Sequence, residues 1–85
     1  MSKNRKRKYT VVITDGSNVH TVKCILEWFD CLTNRRFGKT KCRQLSKEHP
    51  TTLVVKTKMR EDSFNLLQNG IESVYPGLCV FNPPM

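Results

Sequence analysis

The stretch Tyr9–Leu32, YTVVITDGSNVHTVKCILEWFDCL, changes its period half-way, and that change decides how the chain folds. Tyr9-Thr10-Val11-Val12-Ile13-Thr14 is β-branched or aromatic throughout, the composition of a pleated and largely buried strand. Asp15-Gly16-Ser17-Asn18 breaks it with turn formers that also cap helix N-termini. From Val19 the pattern is helical: Val22, Ile25, Leu26, Phe29 and Leu32 recur at spacings of 3, 1, 3 and 3. Such positions share one face of a helix of about three to four turns. Thr33-Asn34 and Phe37-Gly38 supply its exit.

Working outward from this βα unit, residues 40–45 alternate weakly and predict an edge strand, where lysine discourages pairing with another molecule. Ser46–Pro50 is a turn, and Thr51–Met59 is a second clear strand. Its Leu53, Val55, Thr57 and Met59 share one side, and Thr52, Val54, Lys56 and Lys58 share the other. Phe64, Leu67, Ile71 and Val74 then mark a second amphipathic helix, with Glu61 and Asp62 in the first turn where acids suit the helix dipole. Asn69-Gly70 inside it suits a hairpin turn equally well. Tyr75-Pro76-Gly77 stops the helix, and Leu78–Phe81 is a last short strand before Asn82-Pro83-Pro84.

The order βαββαβ predicts an α+β, ferredoxin-like sandwich, because right-handed crossovers lay both helices on one face of a four-stranded antiparallel sheet. Residues 9–82 form the domain. Residues 1–8 have no apolar side chain after Met1 and are expected to be a disordered basic tail, and 83–85 a C-terminal tail.

Charge separates along the chain as sharply as hydrophobicity does. The 85 residues carry 15 Lys+Arg and 7 Asp+Glu, a net charge of +8. Residues 1–8 contribute +5, residues 9–34 contribute −2, residues 35–60 contribute +8, and residues 61–85 contribute −3. The globule is therefore expected to be electrically two-sided. On the sheet face away from the helices, Lys41, Arg43, Lys56 and Lys58 alternate together, with Arg35, Arg36 and Lys39 at one end. Seven cations so placed predict a track for the phosphates of nucleic acid, largely without sequence preference. Base stacking is not expected: the strand 51–59 has no aromatic residue, and Arg36-Phe37-Gly38-Lys39 only echoes the composition of an RNA-recognition strand.

Other chemistries fit poorly. Gly38-Lys39-Thr40 resembles the end of a phosphate-binding loop, but the first glycine of that motif would fall at Thr33, and the segment follows a helix. Cys24, Cys31, Cys42 and Cys79 have no paired spacing for zinc and read as structural, buried thiols. No arrangement of acid, base and nucleophile is legible, so an enzyme, a cofactor and a metal are not expected. No apolar run approaches the roughly 20 residues of a membrane span, and none follows the basic start as a secretory signal would. A cytoplasmic monomer or weak dimer is the expectation.

Two functions follow. The first is a small regulatory protein binding nucleic acid through residues 35–60 and the basic tail. The alternative is an inhibitor or adaptor, of bacterial or phage type, whose basic face docks an acidic protein surface. For a protein partner the candidate anchors are Trp28, beside the core stripe of the first helix with Glu27 and Asp30 around it, and Phe37 at a loop tip. Trp28 packed against the second helix is the competing expectation.

Overall fold

In a computed structural model, which describes residues 5–82, the chain forms six elements in the expected order. They are β1 (Arg7–Ile13), α1 (Val19–Thr33), β2 (Arg43–Ser46), β3 (His49–Met59), α2 (Glu61–Val74) and β4 (Cys79–Asn82). The sheet order is β2-β3-β1-β4, with every neighbouring pair antiparallel. β3 lies between β1 and β2, and β1 lies between β3 and β4, so two split βαβ units interleave. The α+β class and the two-helix, four-strand architecture are as the sequence predicts.

The central strands are the two with the strongest apolar alternation. Register pairs Tyr9 with Thr57, Val11 with Val55 and Ile13 with Leu53, and on the other side Val11 with Phe81 and Ile13 with Cys79. These side chains share one face, and Val22, Ile25 and Phe29 of α1 join Phe64, Leu67 and Ile71 of α2 in covering it. Tyr9 and Phe64 stack with ring centres 3.9 Å apart, and Phe81 meets Phe64 edge-on at 5.9 Å. The aromatic rings of β1 and β4 are thus spent in the core.

Local signals set the helix ends. The Asn18 side chain accepts the Thr21 N–H at 3.1 Å and caps α1. Asn34 closes it in the left-handed region, at φ 58°. Asn69-Gly70 continues α2 rather than turning the chain. A Cβ on Gly70 would stand 2.6 Å from the Trp28 ring, so the glycine is what lets the two helices approach.

Four strand boundaries differ from the sequence reading, the slightest being β4, which runs Cys79–Asn82 rather than 78–81. β1 starts at Arg7, so Arg7 and Lys8 are not tail residues: they pair with Met59 and Lys58 at the far end of β3. A ladder needs backbone groups rather than apolar side chains, which is why composition missed them. Residues 1–4 of the expected tail, and 83–85, lie outside the described residues. β2 begins at Arg43 rather than residue 40, because the Thr40 N–H is drawn to the Asp30 carboxylate at 2.7 Å instead of to a strand. β3 begins at His49, directly after a two-residue turn at Lys47-Glu48. Pro50 is tolerated there because β1 pairs with β3 only as far as Leu53.

Candidate nucleic-acid interface

The strand positions that alternate with the core form the open face. Register lays them out in rows: Lys8 opposite Lys58, then Thr10 between Lys56 and Asn82, then Val12 between Val54 and Val80, with Arg43 beyond Val54. Among the described residues no aromatic side chain occupies this face. Two shallow depressions cross it. One, of about 450 Å³, is lined by Lys8, Lys56, Lys58 and Arg35, with the Tyr9–Thr57 pair between its rows as floor. The other, of about 170 Å³, is lined by Lys41, Arg43 and Lys56 with Cys42 and Val54. Lys56 belongs to both, so six cations form one band, and among the described residues no carboxylate lines it.

The charge asymmetry expected from sequence takes this form in space. The strands carry Arg7, Lys8, Arg43, Lys56 and Lys58 and no acid, whereas the helices carry Glu27, Asp30, Glu61, Asp62 and Glu72 against Lys23 alone. Lys8 and Lys58 stand directly opposite each other, an arrangement that repels in the absence of an anion.

Of the seven expected cations, Arg35, Lys41, Arg43, Lys56 and Lys58 line the band, whereas Arg36 and Lys39 do not. Those two flank the exposed turn at Phe37-Gly38, which is closed by the Lys39 N–H donating to the Arg36 carbonyl at 3.1 Å. Lys8 was missed. The signal for it was the length of β3: nine apolar-alternating residues need a longer partner than six.

The two candidate protein anchors lie on opposite flanks of α1. Trp28, 36% exposed, covers Gly70 on the α2 side. Phe37, 75% exposed, overhangs an apolar cleft of about 300 Å³ formed with Val19, Val22 and Leu26 on the other side. Asp30 does not rim Trp28 as expected. It is 1% exposed and faces the loop between α1 and β2. Burial alone would push its carboxyl up, but hydrogen bonds from Thr40, Gly38 and Lys39 outweigh burial and hold it below the usual carboxylate range.

The thiols are not uniformly buried either. Cys79 is buried, Cys24 and Cys42 are half-buried and Cys31 is exposed, because Cys31 falls on the solvent side of α1. Burial pushes the Cys79 thiol up to about 11, helped by Glu72, and burial also raises Cys42, so neither is a ready thiolate. Among the described residues no group of three His, Cys, Asp or Glu side chains is placed to hold a metal ion, and no helix is long and apolar enough to cross a membrane.

Comparisons with protein-family models, with curated proteins and with solved structures give no significant match to this chain. What it does must be argued from its own surface.

Proposed function

We propose that this protein is a small non-enzymatic regulatory protein that binds nucleic acid, DNA or RNA, through backbone phosphates on the open face of its sheet. The observation that carries this reading is the continuous band of Lys8, Arg35, Lys41, Arg43, Lys56 and Lys58, with no carboxylate among the described residues that line it. Six donors of one sign on a flat, low-relief surface suit a strand of phosphates. The inward orientation of Tyr9 and the core contact of Phe81 argue against base stacking, so recognition is of the backbone and not of the sequence. It acts in the cytoplasm, as a monomer or weak dimer.

A second reading, an inhibitor or adaptor whose basic face docks an acidic protein, is favoured by Phe37, whose ring is exposed on the loop that joins Arg35 to Lys41. Fluorescence anisotropy with mixed-sequence single-stranded DNA, single-stranded RNA and duplex oligonucleotides separates the two. The nucleic-acid reading expects binding that is insensitive to sequence and falls steeply with salt. Retention on heparin with no binding to any oligonucleotide would favour the adaptor.

A further inference from the structure

A buried aspartate in the last turn of a helix is costly, since a carboxylate loses hydration there and meets the negative end of the helix dipole. Asp30 is 1% exposed, yet every one of its oxygens is occupied by the loop that follows α1. Its carbonyl accepts the N–H groups of Asn34 and of Arg35, the latter at 3.0 Å. Its Oδ2 accepts the Gly38 N–H at 2.6 Å, and its Oδ1 accepts the Thr40 N–H at 2.7 Å. Gly38 meets this geometry at φ +79°, which a side chain would resist. One residue therefore fixes the path of the chain from 34 to 40.

The two ends of that path reach the two halves of the basic band. Arg35 enters the larger depression beside Lys8, Lys56 and Lys58, and Lys41, next to Thr40, enters the smaller one beside Arg43. We infer that Asp30 is the positioning residue of the anion-binding face: it touches no ligand, but it holds Arg35 and Lys41 in line with the strand cations. The inference rests on the phosphate-track reading for its ligand and on the hydrogen bonds alone for its geometry. Without the carboxylate the loop keeps its carbonyl bonds to Asn34 and Arg35 but loses its hold at Gly38 and Thr40, and Lys41 loses its fixed place.

The test is Asp30→Asn, which keeps the volume but turns an acceptor into a donor facing an N–H. Bound to a mixed-sequence oligonucleotide, the variant should show a slope of log affinity against log salt flatter by about 0.7 to 0.9, the one phosphate contact of Lys41. The variant Lys41→Gln should lose the same amount, and adding Asp30→Asn to it should cost nothing more. Additive losses in folded variants would make Asp30 merely structural and overturn the inference. Heparin keeps the two proposals apart. If the wild-type chain binds no oligonucleotide but Asp30→Asn still elutes from heparin at lower salt, the nucleic-acid reading fails and the positioning role stands. Elution at the wild-type salt overturns the role. Should Asp30→Asn not fold, amide exchange in the wild-type chain decides: Gly38 and Thr40 should exchange as slowly as core helical amides, and free exchange at both contradicts the bracket.

Discussion

The same strands present two faces built by opposite rules. On the covered face, Tyr9, Val11, Ile13, Val55 and Met59 are buried against two helices, and each is held by many neighbours at once. One residue along, Lys8, Thr10, Val12, Lys56 and Lys58 stand on the open face, and among the described residues no element packs over them. The covered face must be apolar for the chain to fold. The open face is free of that demand, so an excess of one charge there needs another explanation, and binding an anion supplies one. On the proposed phosphate-track reading, stability belongs to one face and function to the other, and substitutions should sort accordingly.

The largest effect is expected on the covered side. Phe29 is fully buried at the centre of α1, and Phe29→Ala should cost roughly 3–5 kcal/mol in denaturant unfolding. Trp28→Ala, one residue on and partly exposed, should cost clearly less, and equal losses would place Trp28 in the core proper. Next comes the helix–helix approach. Gly70→Leu drives a side chain into the Trp28 ring and should destabilise by about 1–3 kcal/mol. The loss should shrink when Trp28 is already alanine.

The third effect concerns the bracket between the faces. The Asp30 carboxyl is depressed in the folded chain, so its contribution is complete above the unfolded value near ~4 and is lost as pH falls through the folded value. Thermal stability should therefore drop on acidification below about pH 4, and Asp30→Asn, at a cost of about 1–3 kcal/mol at neutral pH, should flatten that drop. A variant as acid-sensitive as the wild type would assign the drop to other carboxylates. The smallest effect is on the open side and has the opposite sign. Lys58→Gln removes the repulsion from Lys8 and should stabilise the free protein by about 0.2–1 kcal/mol. A loss of stability instead would mean that the Lys58 stem packs usefully.

What was legible in the sequence follows the same division. Period changes at Val19 and after Met59 marked both helices and both central strands, because local apolar spacing is dictated by burial on one face. The alternation of Lys56 and Lys58 with Val55 and Thr57 placed those lysines on the open face for the same reason. The late start of β2 was not legible, since it depends on a carboxylate ten residues earlier in the chain capturing the Thr40 amide. Asp30 looked like one more surface acid of α1. The role of Gly70 was hidden likewise, because only the position of Trp28 on the neighbouring helix distinguishes a packing glycine from a turn glycine. Lys8 was lost to a boundary drawn by hydrophobicity, which the backbone pairing of β1 with β3 does not obey.

The central claim is that the open face is a phosphate track, and one measurement bears on it most directly. It is a salt titration of oligonucleotide affinity for the wild-type chain and for the quadruple variant Lys41→Gln/Arg43→Gln/Lys56→Gln/Lys58→Gln. All four side chains are exposed and none belongs to the core, so the variant should fold with a thermal midpoint close to that of the wild type. Its affinity should fall by a similar factor for every sequence tested, and its salt slope should flatten by about 0.7 to 0.9 for each phosphate contact removed. A folded quadruple variant that binds as tightly as the wild type, with an unchanged salt slope, would contradict the account.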